Sequence, residues 1–156
     1  MAYIDVITLA EAKLYLRIDD TLTEDDLNIT RMINSALSFV EKWTNVMVYK
    51  REITYFLKYG RKRIYDAPVN SVVTTDPVVY SERGTLYTEY WTGTESVDIV
   101  LDVGYELATD VPEELREVAF QIIDILYYKA GNNKPIAEQL NGLAIDMLNQ
   151  NKRFIM

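Results

Sequence analysis

The stretch VDIVLDVGYELATDVPEELREVAFQIIDILYYKAG, residues 97–131, decides how the chain is read. Its first seven residues alternate. Val97, Ile99, Leu101 and Val103 fall on one face and Asp98 and Asp102 on the other, the pattern of a strand with one buried face. After Gly104 the chain turns, and Pro112 opens a helix where its missing amide hydrogen costs nothing. Leu115, Val118, Ala119, Ile122 and Leu126 then recur at spacings of three and four, a buried stripe widened by Ile123 and Ile125. Gly131 is the candidate C-cap. The segment specifies packing and carries no reactive group.

Outward from it, the chain changes period twice. Residues 8–44 read as helical, 46–104 as strand-rich, 112–149 as helical again and 150–156 as a tail. Thr8 with Glu11 three residues on is a capping box, and Leu9, Ala12 and Leu16 share a face behind it. A second helix is predicted with Thr23 as its N-cap and Glu24, Asp25 and Asp26 in its first turn, where negative charge suits the helix dipole. Ile29, Met32, Ile33, Ala36, Leu37, Val40 and Trp43 form its apolar stripe.

VMVYKREITYFLK is rich in strand-favouring residues. A turn follows, then a short strand ending near Asp66, a proline break and another strand from Ser71. GTLYTEYW and SVDIVLDV flank TGTE and read as a hairpin. After NNKP a shorter last helix is predicted, with Ile136, Leu140, Leu143, Met147 and Leu148 as its apolar positions. Gly142 in its middle weakens it by roughly 1 kcal/mol relative to alanine. Residues 133–156 are therefore expected to be the least protected helical segment of the free protein. The fold class is mainly α (α+β), a small helical bundle with an inserted β-hairpin region, in a single domain spanning residues 1–156.

Composition narrows the chemistry. The chain has 156 residues, no cysteine and no histidine. That excludes disulfides, thiolate metal sites, thiol catalysis, histidine bases and histidine-ligated zinc. A chain of this size buries about 70% of its unfolded surface and needs no covalent staple. The net charge of −8 argues against affinity built on neutralising phosphates. No apolar run reaches the length of about 18 residues needed to span a membrane. MAYIDVITLAEAK lacks a basic region followed by an apolar core, so no signal peptide is expected.

Three groups of residues remain as candidates. Asp19, Asp20, Glu24, Asp25 and Asp26 are acidic enough to interest magnesium, but sequential carboxylates at a helix start read as favourable first-turn charge. Lys58, Arg61, Lys62 and Arg63, interleaved with Tyr55, Phe56, Tyr59 and Tyr65, resemble a small nucleic-acid patch. They equally suit a hairpin tip, where exposed charge belongs, and Lys or Arg along an edge discourages strand addition. Tyr87, Tyr90 and Trp91 put aromatics on both faces of one hairpin arm, more than a one-sided sheet can bury, and point to a covering chain. No catalytic residue, metal site or cofactor is expected.

The order of these segments resembles the head–tail connector (adaptor, or head-completion) proteins of long-tailed bacteriophages. The resemblance rests on ITLAEAKLYLRID at 7–19, SFVEKWTN at 38–45, DAPVNSV at 66–72 and the opening stretch, with its Gly-Tyr pair and its Val-Pro step into a long helix. It implies a structural protein with no enzymatic activity, found in the virion at the head–tail junction and in the host cytoplasm during assembly. Copies would form a twelve-fold ring beneath the portal protein, extend the DNA channel and carry the head-closure (stopper) or tail-completion protein. By the same resemblance Leu148, Lys152, Arg153 and Phe154 are the portal-contact candidates. Arg61, Lys62, Arg63, Arg83, Tyr87, Tyr90 and Trp91 are the candidates for neighbour, stopper or channel contacts. DNA would pass through without specific binding, along a lumen that is acidic or neutral with isolated cations. The alternatives are a tail-completion or terminator ring and, more distantly, a carboxylate-dependent metal nuclease of packaging. A small DNA-binding regulator would need a basic face that a pI near 4.6 opposes.

Overall fold

The computed structural model describes residues 2–57, 60–64, 68–73, 79–82, 85–90, 97–128 and 134–152. Three helices come first: α1 (Tyr3–Val6), α2 (Leu9–Leu16) and α3 (Asp26–Thr44). Among the described residues six strands follow: β1 (Arg51–Leu57), β2 (Gly60–Ile64), β3 (Val69–Val72), β4 (Val79–Glu82), β5 (Thr85–Tyr90) and β6 (Val97–Val103). A 3₁₀ turn at Ala108–Asp110 leads to α4 (Glu113–Tyr128), α5 (Ile136–Gln139) and α6 (Gly142–Asn151). The protein is mainly helical, with a strand-rich region inserted between α3 and α4.

The stripes read from sequence meet in one helical core. Ile29, Ile33, Leu37 and Val40 of α3 pack with Leu115, Val118, Ala119 and Ile122 of α4, with Ala12 and Leu16 of α2, and with Ala144 and Leu148 of α6. Each large aliphatic side chain buried there contributes about 1.5–3 kcal/mol. The Thr8 capping box forms as its spacing predicts. The Glu11 amide donates to Thr8 Oγ1 at 3.2 Å, and the Thr8 amide donates to Glu11 Oε2 at 2.8 Å. Thr8→Ala should therefore lower the free energy of unfolding in urea by about 1 kcal/mol.

The start of α3 departs from the Thr23 cap. The helix begins at Asp26, and Asp25 in the cap position makes no side-chain cap bond. The cause is Lys13, whose side chain is 4% exposed. Its Nζ lies 2.7 Å from the Leu22 carbonyl, 3.3 Å from the Asp20 carbonyl and 2.5 Å from Asp26 Oδ1. This ammonium gathers residues 20–26 into a loop before the helix can start.

The strands form two three-stranded antiparallel sheets, ordered β1-β6-β3 and β2-β5-β4. The hairpin expected between residues 84–91 and 96–103 is not a pair. β6 lies between β1 and β3, and β5 lies between β2 and β4. The turn residues TGTE are outside the described residues. The alternation in β6 holds: Ile99, Leu101 and Val103 are fully buried, and Asp98 is exposed. They cluster with Met47 and with Ile64 of β2, so the two sheets meet over a second, smaller core.

The last helix is also two helices. Leu140 is extended, and Asn141 caps α6 by accepting a 2.8 Å hydrogen bond from the Ala144 amide. Gly142 is thus the first residue of α6 and not its middle. Gly131 lies outside the described residues.

Candidate interaction surfaces and the joint between them

Glu41 sits where the helices meet the sheets. It lies one turn after Leu37 on the buried face of α3 and is 4% exposed. Arg51, the first residue of β1, grips it with two parallel bonds, Nη1 to Oε1 at 3.0 Å and Nη2 to Oε2 at 2.8 Å. Tyr3 Oη donates to Oε2 at 2.5 Å and the Val48 amide donates to Oε1 at 2.9 Å. Tyr49 completes the set: the Arg51 guanidinium lies 4.5 Å from its ring centre, and Tyr3 meets it edge to face at 4.8 Å. One carboxylate therefore ties α1, α3 and the entry to β1 together.

The electrostatics are those of a saturated ion pair. Burial, then the hydrogen bond and charge of Glu41, pushes the Tyr3 hydroxyl up to about 12. Burial works against the charge on Arg51, but Glu41 outweighs it and holds the guanidinium more firmly protonated than usual. An open cleft of about 370 Å³ beside them is lined by Tyr3, Glu41, Lys42 and Arg51 among others. Neither Tyr3 nor Arg51 is thereby tuned to exchange protons near neutral pH.

A second link joins α2 to α4. Arg116 Nη2 lies 2.8 Å from Glu11 Oε1, and its Nη1 lies 3.1 Å from Glu113 Oε2. Burial would raise the Glu11 carboxyl, but the Thr8 hydrogen bonds and Arg116 outweigh it and hold the group below its ordinary range.

At the far end of the bundle the acidic run is divided among separate partners. Asp19 accepts from the Thr21 amide and hydroxyl at 2.9 and 2.6 Å, Asp25 accepts from Tyr127 Oη at 2.9 Å, and Asp26 pairs with Lys13. Among the described residues no three acidic side chains are grouped to hold a metal ion. Tyr15 stacks on Phe120 with ring centres 5.0 Å apart, and Tyr128 Oη donates to the Leu16 carbonyl at 2.8 Å.

The portal-contact candidates divide. Leu148 is fully buried in the helical core and fastens α6 to it, so it presents no surface here. Lys152 is exposed, with its ammonium 5.7 Å from the Trp43 ring centre, while Trp43 Nε1 donates to Asn149 Oδ1 at 3.3 Å. Arg153 and Phe154 are outside the described residues. Arg61, Lys62 and Arg63 lie on β2, and Tyr87 and Tyr90 on β5, where the backbone is described. Arg83 and Trp91 lie outside the description.

Lys13 and Glu41 are the polar residues that sequence reading passed over. The signal was present. Each is a charged residue at a stripe position, Lys13 four after Leu9 and Glu41 four after Leu37. A charge on an apolar stripe announces a buried pair.

No protein-family model matches the chain, and neither does any curated protein. Solved structures do. Three solved structures with the same fold come from gene transfer agent particles or their necks. One is from the neck of an empty gene transfer agent particle computed with C6 symmetry, at TM-score 0.75 and 14% identity, over 97% of this chain and 91% of that one. Another is from the virion of the native gene transfer agent particle, at TM-score 0.75 and 13% identity, over 100% and 94%. A third, from the neck of the native particle computed with C12 symmetry, gives TM-score 0.67 and 12% identity over 98% and 93%.

Proposed function

We propose that the chain is a structural component of the neck of a tailed-phage-like particle. Copies of it form a twelve-fold ring below the portal protein, extend the DNA channel and seat the head-closure or tail-completion protein. The observation that carries this reading is the length of the structural match. Neck and virion components align over 97–100% of this chain, so the likeness spans the helices and the strand-rich region together. Two well-buried charged side chains support it, because Lys13 and Glu41 are held by ion pairs that shape the fold. The protein works by being held between other surfaces and performs no chemistry. DNA passes the ring without specific contacts, as a net charge of −8 favours.

Electron microscopy of the protein mixed with portal tests this. A collar of density on the portal, with this chain in rotational register, is the expected image. Binding to tail-tube protein alone would move the chain to the tail side of the joint as a completion ring. Failure to bind any particle component would end the proposal.

The carboxyl-terminal helices supply a further expected result. α5 and α6 have 4 and 10 residues, too short to persist without packing, and α6 buries only Ala144 and Leu148 fully. Amide exchange in the free protein should be faster across residues 134–152 than in α3 or α4. Equal protection would show that this segment needs no particle partner to settle.

A further inference from the structure

The outer faces of the two long helices carry opposite charge. α3 and α4 pack against each other through their buried stripes. With about 100° between successive residues, the positions opposite the α3 stripe are Arg31, Ser35, Ser38 and Lys42, spaced i, i+4, i+7 and i+11. Arg31, Ser35 and Lys42 are exposed and Ser38 is half-buried. No carboxylate competes there, because α3 holds two, of which Asp26 is bound by Lys13 and Glu41 is buried beside Arg51. Neither Arg31 nor Lys42 forms an ion pair among the described residues. The Ser35 hydroxyl already donates to the Arg31 carbonyl at 2.9 Å, so covering it strands no donor. On α4 the positions opposite the stripe include Glu113, Glu117 and Asp124, at i, i+4 and i+11. The Glu113 side chain is 77% exposed and shares Arg116 with Glu11, whereas half-buried Glu117 and Asp124 meet no cation among the described residues. Arg17 lines the same open cleft of about 530 Å³ as Asp124 and makes no ion pair with it. Burial, then the charges of Glu117 and Asp124, raises the Tyr15 hydroxyl above its ordinary range, so the negative field of this face is felt nearby.

The two faces point away from each other, so they cannot meet within one copy. Each spans about 16 Å, from Arg31 to Lys42 and from Glu113 to Asp124. A single surface charge is worth little, but charges matched in spacing decide which faces meet and in what register. The serines between the α3 cations leave room for a second helix at the usual interaxial distance of about 8–10 Å. Leu27, one turn before Arg31, is 63% exposed and adds apolar area on the same side. With a net charge of −8, copies repel one another on average, and an acid-free face is where a neighbour's carboxylates are drawn. Duplex DNA is the poorer occupant, because two cations on so acidic a chain neutralise few phosphates. Two different, complementary faces on one chain give head-to-tail association, which closes into a ring when the rotation allows. We infer that the outer face of α3 in one copy packs on the outer face of α4 in the next. This rests on the ring reading above and names the surfaces through which the ring closes.

The absence of cysteine makes the test direct, since introduced thiols are the sole ones. Ser35→Cys and Gln121→Cys, near the middle of the two faces, are mixed under mild oxidation, which traps even brief encounters, so a ring that needs a template to persist is still read. The expected heterodimer exceeds several-fold that of either variant with Thr54→Cys, an exposed position on β1. Adding Arg31→Glu and Lys42→Glu to the Ser35→Cys chain should cut the yield several-fold, and Glu117→Lys with Asp124→Lys on the Gln121→Cys chain should restore it. Thermal melts check that each variant is folded, and Arg31→Ala with Lys42→Ala replaces the reversal where it melts early. No preference over the Thr54 control, or no restoration by the paired reversal, overturns the inference. So does slower maleimide labelling of Ser35→Cys on adding duplex DNA but not on adding the wild-type chain, which would turn the α3 cations toward phosphates. If copies still form a collar on the portal in either case, the ring stands and another interface closes it. If they form neither cross-links nor a collar, both readings fall together.

Discussion

Glu41→Ala is expected to lower the free energy of unfolding by about 3 kcal/mol or more, the range for breaking a buried ion pair from one side. The change strands four donors at once: both Arg51 nitrogens, the Tyr3 hydroxyl and the Val48 amide. The Arg51 side chain is 26% exposed, so water relieves part of its loss and keeps the value near the lower end of that range. Glu41→Gln keeps the shape and loses the charge, and should fall between wild type and alanine. Urea denaturation measures all three, and an alanine variant within about 1 kcal/mol of wild type would show that the joint is ornamental.

The same joint predicts an alkaline limb. The Tyr3 hydroxyl is pushed up to about 12 in the folded chain from its ordinary 10.0. Between those values the unfolded chain has lost the proton and the folded chain keeps it, so raising the pH favours unfolding. The contribution is fully present below pH 10.0 and is lost as pH rises through about 12. Tyr3→Phe should flatten this part of the stability curve relative to wild type. Parallel curves for the two proteins would remove the assignment.

Much of this architecture is written in local pattern, and the exceptions share a cause. The stripes of α3 and α4, the Thr8 box and the one-sided face of β6 follow from period and capping alone, because each is decided within a few turns of chain. Strand pairing was not legible. TGTE looks like a hairpin turn, yet β5 and β6 take their partners from four other strands, a choice made by which apolar faces can be buried together. The late start of α3 was hidden for the same reason, since Lys13 reaches it from another helix. Asn141 capping α6 was legible in principle: Asn followed by an apolar run is a start signal, obscured by the apolar spacing that continues across it from Ile136 to Leu148. The surfaces were the least legible. Leu148 belongs to a helical stripe, and only the packing of α6 on α3 and α4 shows that it faces inward. Leu14, Leu22, Leu27 and Tyr128 are apolar or aromatic in sequence, and only the fold shows that they stay exposed.

Gly104→Ala is expected to be more damaging than Glu41→Ala. Gly104 has φ +96, a conformation that strains any L side chain. Space closes the remaining option. A Cβ there would lie 2.1 Å from the Tyr49 carbonyl oxygen and 2.5 Å from its carbon, and both are backbone atoms that cannot rotate away. Nor can Gly104 itself retreat freely. Its amide donates to the Pro68 carbonyl at 2.8 Å, and Asn70 Nδ2 donates to its carbonyl at 2.8 Å. Backbone strain of about 1–3 kcal/mol and overpacking of about 1–3 kcal/mol act together, a loss of roughly 2–6 kcal/mol. Against a typical total of about 5–15 kcal/mol this is enough to unfold a marginal chain. Gly142→Ala is the control, because a Cβ there meets nothing within 4 Å and should change stability by no more than about 1 kcal/mol, in the favourable direction. Thermal unfolding of the two variants should therefore diverge widely from a single added methyl group. The residue that suffers directly follows β6, on the path from the strand-rich insertion back to the bundle. On the ring reading proposed above, Gly104→Ala should accordingly abolish incorporation, whereas Gly142→Ala should be incorporated. Equal melting of the two would mean that the crossing of Gly104 over Tyr49 is not the tight point described.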